Sequence, residues 1–221
     1  MTRPSTGTST GIFFPDLGSY QAFARQCAAL SLIKQRILNL LFPASDTIHI
    51  LDGFPIPICH ACRGHRCRTF RGEAAWGYCA TKKEHFYGLR GHLVITLAGT
   101  AVAFTVTAAN VDERDVVPNL YGTIRGLLIG DKGFISEDLK LEAAAHEIDL
   151  QTPLRKNMPD GRDPAAVARL VRIRRAVETA IGKLSEMFAA QTTKARDLPS
   201  FVNRMARKLL AYNFSLMAAQ S

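Results

Sequence analysis

Three acidic residues stand where the chain could do chemistry with them. Asp131 ends the apolar run Gly126-Leu127-Leu128-Ile129 and lies between Gly130 and Gly133, which let the backbone turn and let something bulky come close. Asp52 ends a second apolar run, Ile48-His49-Ile50-Leu51, and Gly53 follows it. Both runs read as buried strands that deliver a carboxylate to an open end. Glu178 sits beside the apolar stripe of a helical segment (Val167, Leu170, Val171, Val177, Ile181, Leu184, Phe188). Arg174 comes one turn before it and Gly182 one turn after, so one face offers a cation and an empty position to a charged ligand. Carboxylates that converge repel one another unless a divalent cation neutralises them, and hard oxygen ligands suit Mg²⁺ or Mn²⁺. Ordinary explanations exist too. Asp131 would cap a following helix, and Glu178 would pair with Arg174 at i, i+4 spacing on a solvated surface.

A second cluster invites a metal reading. Cys59, Cys62, His65 and Cys67 could wrap around zinc, with His60 and Cys79 in reserve. All four fall within nine positions, whereas structural zinc sites separate two ligand pairs by a dozen or more residues. Residues 58–84 therefore read as a loop-like basic insertion with reduced thiols. Its Arg63, Arg66, Arg68, Arg71, Lys82 and Lys83 suit phosphates, or form an ordinary solvated face. Five cysteines, an odd number in a chain without an export signal, argue against a disulfide framework. The net charge of +9 points to a polyanionic partner, nucleic acid first. No apolar run reaches membrane-spanning length and Met1 to Thr10 lacks a signal-peptide core, so the expectation is a cytoplasmic protein with no membrane partner.

Positioning these residues takes most of the chain. With 221 residues and 47% hydrophobic content, one main domain with a helical appendage is expected, divided as 1–46 and 47–221. Past a frayed lead-in, Met1 to Phe14, Ser19 caps a single N-terminal helix that Pro43 ends, with Arg25, Lys34 and Arg36 on its wetter side. A strand over 48–54 follows, and Pro55 and Pro57 stop it. The runs 86–97 and 102–107 form a hairpin in which His92 is a core or edge residue. Asn110, Asp112 and Asp115 read as a local helix cap. After the Asp131 strand, Ser136 caps a helix, 148–154 forms an edge strand, and the rest is helical, with a last helix from near Pro199. This order predicts an α/β fold with a five-stranded mixed sheet, three strands antiparallel and two parallel, and helices on both faces. The ends of the first and fourth strands then lie side by side, and a helix packed across them brings the third carboxylate to the same point.

The motifs in this order resemble the ribonuclease H-like catalytic core of DDE transposases encoded by bacterial insertion sequences. The segments that carry the resemblance are Ile50-Leu51-Asp52-Gly53-Phe54-Pro55-Ile56-Pro57-Ile58-Cys59-His60, Tyr87-Gly88-Leu89-Arg90-Gly91-His92-Leu93 and Thr107-Ala108-Ala109-Asn110-Val111-Asp112-Glu113-Arg114. They continue with Gly130-Asp131-Lys132-Gly133-Phe134 and Arg174-Arg175-Ala176-Val177-Glu178-Thr179. The match runs from about Tyr20 to Ala218. It departs at Val171, where many relatives place Tyr, and at Ser185, where Lys is expected. The resemblance implies that Asp52, Asp131 and Glu178 are the catalytic triad and hold two Mg²⁺ or Mn²⁺ ions about 4 Å apart. It implies DNA cleavage and strand transfer at insertion-sequence ends, with double-stranded DNA as partner and a homodimer left open. Lys82, Lys83, Arg155, Lys156, Arg174 and Arg175 would hold backbone phosphates around the cleft. Residues 1–46 leave little room for the DNA-binding region that precedes such cores, which suggests a remnant of one. An inactive truncated copy that still binds DNA, and a zinc-stabilised nucleic-acid module, are the competing readings.

Overall fold

In the computed structural model, which describes residues 19–42, 45–80 and 82–220, side-chain alternation along strand β1 (Ile48–Cys59) sorts the core into two layers. Ile50, Phe54 and Ile56 enter one layer and Leu51 the other. The sheet has the order β2-β3-β1-β5-β6, with β4 also paired to β3, where β2 is Ala75–Cys79, β3 Glu84–Thr96, β4 Ala101–Ala108, β5 Gly126–Ile129 and β6 Ile148–Gln151. β1 runs antiparallel to β3 and parallel to β5, and β6 is the parallel edge. All five expected strands are present.

The sixth, β2, lies inside the stretch expected to be loop. It pairs with the Glu84–Gly88 half of β3, and β4 pairs with the Leu89–Ile95 half, so the two short strands share one side of a long one. Five residues with a glycine in the middle, Ala75-Trp76-Gly77-Tyr78-Cys79, give too weak a pattern to stand out among neighbouring Arg and Cys residues.

Strand β1 is also longer than expected. It continues through both prolines, with Pro55 opposite Arg90 and Pro57 opposite Gly88. The Thr47 carbonyl accepts the Leu127 N–H, so by alternation the odd-numbered backbone groups of β1 face β5. β5 reaches only as far as Ile50. Beyond that point this side of β1 is an edge, where a missing N–H breaks no ladder bond.

Helices cover both faces. α4 (Pro164–Phe188) and α5 (Leu198–Gln220) bury Val177, Leu184, Phe201, Met205 and Tyr212 against Ile50, Phe54 and Leu93. α3 (Glu137–Ala145) and a 3₁₀ turn over Glu113–Leu120 bury Leu139, Ala143, Val117 and Leu120 against Leu51, Leu128 and Leu150. The caps are local. Ser136 Oγ accepts the Leu139 N–H at 3.3 Å, and the Asp163 carboxylate accepts from Ala165 and Ala166 at the start of α4.

At the N-terminus Ser19 Oγ accepts the Ala22 N–H at 3.2 Å, but the expected single helix is two, α1 (Tyr20–Ala29) and α2 (Ser31–Leu41), broken at Leu30. Leu30 adopts ψ 11°, outside the helical range, and the chain redirects there so that α2 lies on α5. Lys34 is not on a wet face: it is buried and its ammonium donates to Asn203 Oδ1 of α5. Phe42 meets Phe214 edge-on at 5.6 Å. Pro43 as a helix stop and the lead-in Met1 to Phe14 lie outside the described residues. Among the described residues no helix is long and apolar enough to cross a membrane.

Candidate active site

Register brings the first two acids together. β1 and β5 last pair at Ile50 and Ile129, and Asp52 and Asp131 each follow two residues later, so both carboxylates leave the sheet at one level. Asp52 shares its face with Ile50 and Phe54 and therefore points toward α4. Its Oδ1 accepts the Gly53 N–H at 2.8 Å. Asp131 precedes a short 3₁₀ turn, Lys132–Phe134, yet its side chain makes no capping hydrogen bond. The capping explanation for Asp131 fails, and the carboxylate is left for another task. Gly130 has its own reason: a Cβ there would come within 2.9 Å of the Phe134 ring, which is fully buried beneath the turn.

The third acid arrives on α4 together with a cation. Arg174 Nη1 stands 3.5 Å from Asp52 Oδ2 and 3.8 Å from Asp131 Oδ1, and Nη2 donates to Glu178 Oε1 at 2.5 Å. The i, i+4 pair expected of a solvated helix exists, but the same guanidinium also spans the two aspartates. Asp52, Asp131 and Glu178 thus meet around one group. Gly182 meets nothing within 4 Å and leaves its side of the helix open.

Burial sets the electrostatics. The Asp52 side chain is 19% exposed, and desolvation pushes its pKa up to about 6; the Gly53 N–H and Arg174 pull it down, while Asp131 and Glu113 push it further up. Glu113 is a fourth acid that the sequence reading passed over. Burial raises its pKa as well, against the pull of Arg90, whose Nη1 lies 2.5 Å from Glu113 Oε1, and with Asp131 pushing it up. Room for it comes from the glycines beside the two aspartates. A methyl group on Gly133 would run into the Glu113 carboxylate, and one on Gly53 would stand 3.4 Å from it. The bulky neighbour that those glycines foretold is therefore this side chain. Asp112 does cap the turn, accepting the Arg114 N–H at 3.0 Å, and that local account hid the residue next to it. His92, opposite Gly53, is a buried core residue with Nε2 3.1 Å from Thr107 Oγ1; burial, then Arg90, hold its pKa down near 4.

The basic residues divide into two groups. Arg155 and Lys156 line a cleft of about 350 Å³ with Asp131, Lys132 and Arg174, and Arg175 is exposed on α4 beside Arg174. Lys82 and Lys83 do not surround this cleft. They form the β2–β3 turn, about ten residues along β3 from Leu93, the partner of Asp52, which at 3.3 Å per residue is about 30 Å.

The cysteine stretch brings Cys59, Cys62 and Cys67 near one another, with a side-chain hydrogen bond between Cys59 and Cys67. Ala61–Arg66 is a 3₁₀ helix, the His65 ring lies 5.3 Å from Trp76, and Cys67 Sγ contacts Thr69 Oγ1 at 3.1 Å. Cys59, Cys62, Cys67 and Cys79 are free thiols. Among the described residues no three His, Cys, Asp or Glu side chains are arranged to hold a metal ion as they stand. At the acids, the Arg174 guanidinium lies among the three carboxylates. Carboxylate oxygens crowded around one displaceable cation are a donor set that suits a hard divalent ion.

Comparison with solved structures relates the whole architecture to a transposase. A piggyBac transposase, solved by cryo-EM as a synaptic complex with hairpin DNA, superposes with a TM-score of 0.51 at 11% identity, over 95% of this chain and 52% of that one. The chain thus spans about half the length of that protein, and at this identity the likeness concerns the fold, which is ribonuclease H-like. No curated protein sequence matches. Residues 43–198, which hold all four acids and every strand, match the family described as transposase DDE domain, and the chain belongs to that family.

Proposed function

We propose that this chain cuts DNA at the ends of an insertion sequence and joins them to a target by metal-dependent phosphoryl transfer. The observation that carries the reading is the convergence of Asp52, Asp131 and Glu178, from two strands and a crossing helix, on the Arg174 guanidinium. Asp52, Asp131 and Glu178 would hold Mg²⁺ or Mn²⁺, with Glu113 beside Asp131. Such ions, when bound by these residues, would supply activation of a water or a 3′-hydroxyl and stabilisation of the leaving oxygen.

The protein's own part is electrostatic and positional. Asp52 must give up its proton to serve as a ligand, so its raised pKa makes ion binding weaken as pH falls through about 6. Arg174 holds the carboxylates together in the ion-free chain and, once displaced, is placed to take a backbone phosphate at the mouth of the cleft. Arg155, Lys156 and Arg175 extend that grip on double-stranded DNA. The DNA held by the similarly folded piggyBac transposase supports this choice of substrate.

Nicking of supercoiled plasmid in Mg²⁺ is the test. Asp131→Asn is expected to fall below about 1% of the parent rate while low-salt DNA retention survives. Nicking that persists at the parent rate removes Asp131, and with it the shared-ion reading.

A further inference from the structure

A second charged cleft lies at the other end of α4, away from the acids. It has a volume of about 400 Å³ and is lined by Thr192, Thr193, Lys194, Arg204, Arg207 and Lys208, among others. Arg204, Arg207 and Lys208 recur at three- and four-residue spacing along one face of α5. All three are half-buried, while Lys194 is exposed.

The four cations are not equivalent. Lys208 Nζ donates to the Ala189 carbonyl at 2.6 Å and to the Thr192 carbonyl at 3.2 Å, so its charge is spent on the C-terminal end of α4. Arg204, Arg207 and Lys194 have no acidic partner among the ion pairs of the described residues. Holding like charges half-buried and uncompensated is unfavourable unless an anion completes them. Burial, then Arg204 and Arg207, hold the Lys208 pKa down, which marks the same crowding of positive charge.

We infer that this cleft is a phosphate-binding subsite for duplex DNA flanking the reaction point, built from Arg204, Arg207 and Lys194. The assignment rests on the DNA reading above and goes beyond it. Phe188, at the rim of the cleft, lies ten residues along α4 from Glu178, about 15 Å at 1.5 Å per residue. That distance corresponds to about four base-pair steps of B-form DNA, so a short length of duplex is enough to span the separation along the α4 axis. The exposed Thr192 hydroxyl can add a hydrogen bond to a phosphate oxygen, as surface threonines do on DNA backbones.

The experiment follows binding of the full chain to a duplex long enough to span both sites, in EDTA, across a salt series. Arg204→Ala/Arg207→Ala is expected to flatten the slope of log affinity against log salt by about 2 and to weaken low-salt binding at least about tenfold. Arg204→Lys/Arg207→Lys keeps the slope. Lys194→Ala, an exposed position that leaves the core untouched, flattens it by about 1, and decides the matter alone if the double variant does not fold. Unchanged slopes overturn the inference. Unchanged slopes with inorganic phosphate raising the melting temperature of the parent, but not of the variants, would make this a free-anion site and equally overturn it. If the parent chain itself binds no duplex, the DNA reading fails first, and this one with it.

Discussion

The acid-lined end of β1 and β5 and the cysteine-bearing arm at the far end of β1 present opposite relations between sequence and space. The arm packs three cysteines and two histidines into residues 59–67, and Cys59 keeps a side-chain hydrogen bond to Cys67. Yet no three of these groups are set to hold an ion, and His65 turns to Trp76. The acids are separated by tens of residues, and four of them converge. Along an extended chain each residue adds more than 3 Å and reverses the side chain, so closeness in sequence does not by itself set groups around one point. Strand register and a crossing helix gather groups from a distance. What distinguishes the acid end is that its charges meet across separate elements, on Arg174 and Arg90, whereas the arm's groups meet partners close in sequence.

Removing the shared guanidinium is the strongest way to sharpen this contrast. Arg174→Ala leaves Asp52, Asp131 and Glu178 facing one another without a cation. A loss of about 3 kcal/mol is expected in EDTA, at the low end for breaking a buried pair because Glu178 is half exposed. Saturating Mn²⁺ should return most of it, since an ion that binds only the folded chain stabilises by mass action. The parent gains less, because the ion must first displace Arg174. Equal Mn²⁺-induced rises in the melting temperature of parent and variant would mean that ion and guanidinium do not compete for the same oxygens.

The next effect is smaller and runs with pH. A carboxyl whose folded pKa is raised costs nothing below its unfolded pKa, where both states are protonated. The penalty grows as pH rises from its ordinary value near 3.8 to about 6, and is full above that. For Asp52 the shift corresponds to about 3 kcal/mol, or about 2 after allowance for residual solvent. Asp52→Asn is therefore expected to be more stable than the parent at pH 7 in EDTA, by several degrees of melting temperature, and no more stable at pH 4. Urea titrations at the two pH values measure this. A variant less stable at pH 7 would show that Arg174 compensates Asp52 fully. On the function proposed above, activity and stability would then pull in opposite directions at one residue, as they do where a site holds charge that the fold alone would reject.

How much of this was legible follows the same contrast. The Asp131 run and the Ile48–Asp52 run announced parallel neighbours ending in carboxylates, because apolar runs between glycines leave few other readings. Glu178 was visible through its Arg174 partner one turn away. Glu113 was not, because a cap at Asp112 explained the neighbourhood and no periodicity marks a residue at the start of a 3₁₀ turn. Its signal lay elsewhere, in Gly53 and Gly133, whose missing side chains required an occupant. The length of β1 was misjudged at Pro55 and Pro57, since a proline's tolerance depends on which neighbouring strand is present, and that is decided by β5, about 70 residues away. Lys82 and Lys83 looked like part of the cleft while the insertion was read as a loop. Once β2 pairs with β3, the turn that carries them is held at the far end of a long ladder.

The smallest expected effect belongs to the arm. Cys62 is exposed, and Cys62→Ser changes little that the fold uses, so a stability change within about 0.5 kcal/mol is expected. Were zinc held there, the same substitution would remove a ligand, and a structural ion's contribution to folding would go with it. A zinc-selective chelator added to the purified chain asks the same question without mutation, and the melting temperature should stay where it was. A fall of several degrees in either measurement would mean that the arm gathers its thiols around an ion after all. The contrast between a region of crowded charge and a region of locally satisfied side chains would then give way to two metal centres at opposite ends of one strand.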